Sequence, residues 1–159
     1  MRRVVGVADM AVSNNPAENL ITYSLGSCIA VVLYDATVTV GAMLHYMLPD
    51  SNLDTEKAGR VPAMFADTGI PLLFRQSYQY GATKKNLVVK VVGGAQILDE
   101  NGLFNIGKRN YLALRKIFWK NNVLIKAEHV GGNVNRTVRL DMKTGQVFLK
   151  VSGIGEFEL

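Results

Sequence analysis

Apolar positions along this chain fall into short runs that read as strands more often than as helices. Arg3–Val7 is a short β-branched run, and Asn14-Asn15-Pro16 marks a turn after it. Ile21–Ser24 is extended. Leu25-Gly26-Ser27-Cys28 then bends the chain into Ile29–Tyr34, an apolar, β-branched stretch of the kind buried on both faces. A brief loop at Asp35–Thr37 leads to a further strand, Val38–Met47. Pro49–Gly59 is polar and rich in turn formers, so it reads as a surface loop.

Two segments carry helical spacing. Pro62–Tyr80 has an apolar side from Phe65, Ile70, Leu72, Leu73 and Phe74. Gly69 and Pro71 interrupt it, which predicts a kink or two short helices. Lys108–Asn121 is cleaner, with Tyr111, Leu114 and Phe118 on one side, Ile117 beside them, and Lys and Arg on the other. Leu87–Val92, Val123–Val130, Thr137–Met142 and Gln146–Val151 complete the strands, and Asp141–Gly145 is a hairpin turn by composition. Strands outnumber helices and the late ones are consecutive. That predicts an α+β fold, not a doubly wound parallel sheet.

Composition narrows the class. The chain has 159 residues, 48% hydrophobic and 19% charged, which predicts one ordered domain over residues 1–159. No apolar run reaches the roughly 18 residues of a membrane span, so no membrane insertion is expected. Arg2 and Arg3 precede only a short apolar patch broken by Asp9, a poor export signal. One cysteine excludes an internal disulfide framework and a Cys-rich zinc site, and points to the cytoplasm. The formal charge of +5 is scattered over positions such as Lys84, Lys85, Lys108, Arg109, Arg115 and Lys116, without interleaved aromatics. It predicts a solvated basic face or a surface for an acidic partner, and no nucleic-acid binding.

The candidate chemistry centres on Cys28. A thiolate is a strong nucleophile, and a neighbouring imidazole can hold it as an ion pair while a third group orients the ring. Of the two histidines, His45 ends the strand that follows the cysteine's own. If these strands are neighbours, both side chains reach one sheet edge. Gly26 and Ser27 permit a tight bend whose free N–H groups can hold the oxygen of a tetrahedral intermediate. Thr22, six positions before Cys28, can accept a hydrogen bond from the imidazole. The competing reading is plain: a lone cysteine beside an apolar run is ordinarily a small buried hydrophobe, and His129, among apolar and glycine neighbours, reads as structural. Gly93-Gly94-Ala95-Gln96 and Gly131-Gly132-Asn133 match neither GxGxxG nor the Walker pattern, so no nucleotide cofactor is expected. Phe104–Asn110 opens the clear helix, a simple helix start or an anion-receptive one.

Together, Thr22-Tyr23-Ser24-Leu25-Gly26-Ser27-Cys28 and Gly41-Ala42-Met43-Leu44-His45-Tyr46-Met47-Leu48-Pro49-Asp50-Ser51 resemble the chemoreceptor glutamine deamidases, the CheD family. Phe65-Ala66-Asp67-Thr68, Gly93-Gly94-Ala95, Asn105–Asn110, Gly131-Gly132-Asn133 and the Thr144-Gly145 hairpin continue the resemblance in order along nearly the whole chain. It implies deamidation of selected glutamines on methyl-accepting chemotaxis receptors through a cysteine thioester. Receptor methylesterase activity and a CheC-type phosphatase partner also go with the family. The implied triad is Cys28, His45 and Thr22, with no metal or organic cofactor. The implied fold, packed β-sheets with flanking helices, is similar to the catalytic domain of the deamidating cytotoxic necrotizing toxins. Ser24 departs from an expected glycine, and Asn52–Arg60 looks individual. The rival readings are a non-catalytic chemotaxis adaptor that binds the phosphatase, and a cysteine hydrolase acting on another protein amide.

Overall fold

A computed structural model describes residues 1–96 and 105–159 of the chain. Among the described residues, ten strands form two mixed five-stranded sheets. In chain order the strands are β1 (Arg2–Val4), β2 (Asp9–Ser13), β3 (Asn19–Leu25), β4 (Ile29–Asp35), β5 (Val40–Tyr46), β6 (Val88–Gly93), β7 (Ala127–Val130), β8 (Arg136–Asp141), β9 (Val147–Val151) and β10 (Gly155–Glu158). The helices are α1 (Thr55–Arg60), α2 (Ala66–Gln79) and α3 (Ile106–Lys120). One sheet runs β2-β5-β4-β6-β7 and the other β1-β3-β8-β9-β10. Among the described strands, only the β1–β3 and β6–β7 pairs are parallel. The described chain is thus α+β.

The apolar run of β4 explains the layering. Every residue from Ile29 to Asp35 is buried, because side chains alternate between two covered faces. Ile29, Val31 and Leu33 pack toward α2 and α3 with Leu44, Tyr46, Leu73 and Leu114. Ala30, Val32 and Tyr34 pack toward the second sheet with Leu20, Val138, Leu140 and Leu149. On β5 the same alternation sends Leu44 and Tyr46 to the helices and Met43 to the second sheet. His45, two positions beyond Met43, shares its side of the strand and so faces the second sheet.

Several expectations shift. Gly69 and Pro71 do not split their segment: α2 is continuous through Pro71, and the division falls earlier, at Phe65, after a 3-10 turn over Pro62–Met64. Pro71 lies in the second turn, where its missing N–H removes a single intrahelical bond. Within the stretch expected to be loop, α1 forms because the Asp54 side chain accepts from the Lys57 N–H at 3.0 Å and caps it. Val38 lies outside β5, which starts after Thr39, held at φ 51°. The last expected strand-rich region is shorter than expected at its start, with β7 beginning at Ala127. Strands β2 and β10 were not legible: one is five residues with a polar start, the other four residues and wholly exposed.

Candidate active site

Thr22 and His45 come from strands of different sheets, and Cys28 from the turn that leads into β4. His45 on β5 lies opposite Ala30 on β4 in the antiparallel register, two residues beyond Cys28, which stands at the mouth of β4. Thr22 is on β3 of the other sheet, so its side chain meets His45 across the sandwich. Thr22 and His45 are each 1% exposed, whereas Cys28 is only partly buried, at the edge of the inter-sheet core. The cysteine is therefore neither a wholly buried hydrophobe nor a free surface thiol.

Thr22 Oγ1 lies 2.7 Å from His45 Nδ1 and also donates to the Val5 carbonyl at 2.7 Å. A carbonyl can only accept, and the hydroxyl has one proton. That proton goes to Val5, so the hydroxyl receives its bond from Nδ1–H. The contact fixes the neutral tautomer and leaves the lone pair on Nε2. Nε2 is buried and has no hydrogen-bond partner among the described residues. The structure thus joins Thr22 to His45 directly, while the Cys28 thiol makes no hydrogen bond to the ring.

The turn carrying Cys28 is held by its carbonyls. Ala95 N–H donates to Gly26 O at 2.9 Å and Gly94 N–H to Cys28 O at 2.9 Å. Asn110 Nδ2 donates to Ser27 O at 2.9 Å. In trans peptides each carbonyl points opposite the following N–H. Anchoring the carbonyls of Gly26 and Ser27 therefore turns the N–H groups of Ser27 and Cys28 the other way. Neither has another residue as acceptor among the described residues. The left-handed residue in this region is Ser24, at φ 56°, in a bulge between Thr22 and Leu25. That backbone suits glycine.

The electrostatics oppose a resting ion pair. Burial pushes the Cys28 thiol up to about 11, with its own backbone N–H pulling the other way. Burial also lowers the His45 imidazole to about 4. Both groups are then neutral at pH 7, as thiol and imidazole, in contrast to the thiolate–imidazolium pair expected from sequence. The physical reason is that desolvation disfavours each charge. Tyr46, buried beside them, is raised well above the ordinary phenol range, by burial first and then by Cys28.

Sequence reasoning missed Asn110. It is fully buried on α3, and its Nδ2 bridges Ser27 O and Met47 O at 2.9 and 2.8 Å. Its Oδ1 has no partner among the described residues, an omission that typically costs about 1–3 kcal/mol. The available signal was a polar residue in the row Gly107, Asn110, Leu114, Phe118, which is the buried face of α3. Gly107 lets that face approach: a side chain there would strike the carbonyls of Gly94 and Ala95. Tyr46 Oη donates to the Asn110 carbonyl at 2.7 Å and fixes the helix from the strand side.

The other singled-out motifs mainly brace this arrangement. Ser51 donates through N–H and hydroxyl to the Asp67 carboxylate at 2.9 and 2.6 Å, tying the segment after His45 to α2. His129 accepts at Nδ1 from Arg136 Nε at 2.8 Å and packs against Phe157. The same guanidinium donates to Gly93 O and Gly131 O, joining the two glycine turns. Phe104 lies outside the described residues. No described helix is long and apolar enough to cross a membrane.

Comparison with known proteins agrees with the motifs. Residues 47–151 match the family described as CheD chemotactic sensory transduction; this match begins beyond His45 and so is independent of Thr22, Cys28 and His45. A probable chemoreceptor glutamine deamidase of Syntrophus aciditrophicus is 60% identical over 94% of both chains. One of Solibacter usitatus is 49% identical over 94% of this chain and 89% of its own. One of Syntrophotalea carbinolica is 42% identical over 98% of both. The chain belongs to the CheD family.

Proposed function

We propose that this protein is a chemoreceptor glutamine deamidase that hydrolyses the carboxamide of receptor glutamines to glutamate through a thioester on Cys28. The observation that carries the reading is the Thr22–His45 contact. It leaves Nε2 as a lone-pair base on the strand next to β4, the strand that Cys28 leads into. The chemoreceptor glutamine deamidases similar to it over nearly their full length supply the substrate class.

In the first step Nε2 of His45 takes the thiol proton as sulfur attacks the glutamine Cδ. The carbonyl oxygen becomes an oxyanion facing the N–H groups of Ser27 and Cys28. A good oxyanion donor contributes roughly 3–4 kcal/mol in other hydrolases. The imidazolium then protonates the departing nitrogen and ammonia leaves, with the thioester remaining. Amide anion is too basic to leave unprotonated, which makes this proton transfer essential. Neutral His45 next removes a proton from water, hydroxide adds to the thioester, and the thiolate departs and is reprotonated. Thr22 keeps the ring in one tautomer throughout. Catalytic contacts are commonly long before substrate binds, so the unbonded Nε2 of the free chain is compatible with these steps.

The same chemistry accepts a glutamyl methyl ester, with methanol leaving in place of ammonia, so receptor methylesterase activity accompanies the reading. A cytoplasmic location, receptor bundles as substrates and a CheC-type phosphatase as partner follow from it, as does a single domain akin to that of the deamidating cytotoxic necrotizing toxins. The test is incubation with receptor fragments and mass spectrometry of the amide-to-acid conversion. Cys28→Ala and His45→Ala should abolish conversion while His129→Ala keeps most of it. Full activity in Cys28→Ala would sink the nucleophile assignment, whereas no conversion by the unmutated protein would favour a non-catalytic adaptor.

A further inference from the structure

We infer that Asn110 is a positioning residue for acyl transfer: its carboxamide orients the peptide unit between Ser27 and Cys28 so that the Cys28 N–H meets the oxyanion. This rests on Cys28 being the nucleophile.

Three observations converge. Asn110 Nδ2 donates to Ser27 O at 2.9 Å, and Ser27 C=O belongs to the same rigid plane as Cys28 N–H. Holding one end of that plane aims the other. The second proton of the same nitrogen goes to Met47 O at 2.8 Å, two residues beyond His45. One side chain therefore ties the turn of the nucleophile to the strand of the base. Asn110 is fully buried, yet its Oδ1 has no partner among the described residues. The site thus uses the two donors and leaves the acceptor idle. An apolar residue of similar volume would fill the space without that omission, so the donors are the part that matters.

The bond also acts electronically. A hydrogen bond to a peptide carbonyl polarises the N–H at its far end, and chains of such bonds reinforce one another. When charge develops on the substrate oxygen, Asn110, Ser27 C=O and Cys28 N–H form one such chain.

The experiment separates steps that create an oxyanion from steps that do not. Iodoacetamide alkylates sulfur by displacement of iodide and builds no charge on an acyl oxygen. In Asn110→Ala and Asn110→Asp, kcat for receptor-fragment deamidation should fall roughly 10- to 100-fold, short of the ~10²–10³ for deleting a donor outright. KM and the alkylation rate of Cys28 should both stay within about threefold. A kcat within about twofold of the parent, or alkylation falling in step with kcat, would overturn the inference. Should both variants fail to fold, the unmutated protein decides. A short peptide aldehyde forming a hemithioacetal at Cys28 should shift the Cys28 amide and Asn110 side-chain protons together by NMR, and an unmoved Asn110 signal overturns it. Full deamidation by Cys28→Ala would instead remove the nucleophile reading itself, an outcome distinct from all of these.

Discussion

Thr22 Oγ1 and His45 Nδ1 lie 2.7 Å apart across the two sheets, and the threonine's only proton is committed to Val5. The hydroxyl is therefore an acceptor for the ring, which makes Thr22→Val and Thr22→Ser unequal. Valine leaves Nδ1–H and the Val5 carbonyl without their partner inside the sandwich, at about 1–3 kcal/mol by urea denaturation. It also frees the ring to adopt the wrong tautomer. The expected loss in kcat is roughly 10- to 100-fold, below the ~10⁴-fold seen when a charged orienting carboxylate is lost. Serine should restore most of both. Equal defects in the two variants would mean that the methyl group, not the hydroxyl, is what the site requires.

The neutral resting pair predicts how Cys28 reacts with pH. With the thiol near 11, the thiolate fraction grows tenfold per pH unit through the neutral range, and the iodoacetamide rate should climb with it. An imidazolium-held thiolate would give a plateau already by about pH 6 instead. The deamidation rate should behave differently. It needs neutral His45, so kcat/KM should lose activity only on a limb near pH 4, where the ring takes a proton. Stopped-flow alkylation and initial-rate deamidation over the same pH range check the two curves.

Stability should follow the same histidine. Its folded value of about 4 lies below the ordinary 6.5, so between these pH values the unfolded chain binds a proton that the native chain does not. Stability is then full above about pH 6.5 and falls as the pH drops to about 4. The loss is roughly 3 kcal/mol for a shift of this size. Urea midpoints measured across this range should show the slope, and His45→Gln should flatten it.

The sequence carried the strand order near the site better than it carried the site's supports. The buried run Ile29–Tyr34 and the strand ending at His45 were legible because β-branched residues buried on both faces leave little ambiguity. Their antiparallel pairing then brought His45 opposite Ala30, as the proposed sheet edge required. The Thr22 contact was legible as a possible acceptor for the imidazole, and the family resemblance put it in the triad, but nothing local says that β3 joins the other sheet. Asn110 was hidden because its two acceptors, Ser27 O and Met47 O, are 83 and 63 residues away. Backbone carbonyls have no sequence signature. Pro71 misled for a related reason: a proline's cost is local, while the packing of Ile70, Leu73 and Phe74 against β5 and its neighbours is not.

Gly93 tests whether the backbone under Cys28 must be placed closely. It ends β6 opposite Ile29, at φ 118°, and an added Cβ would collide with the Cys28 carbonyl oxygen. That oxygen already accepts from Gly94 N–H. Gly93→Ala therefore combines backbone strain with displacement of the nucleophile's own peptide, and should cost more than about 2 kcal/mol together with most deamidase activity. Gly81 is the matching control. It has a similar φ of 106°, nothing within 4 Å of an added Cβ, and a place in the turn after α2. Gly81→Ala should show the strain alone, about 1 kcal/mol, with activity unchanged. If both variants lose stability alike and Gly93→Ala retains its rate, the turn tolerates movement and the anchoring of the Cys28 carbonyl is not needed for catalysis.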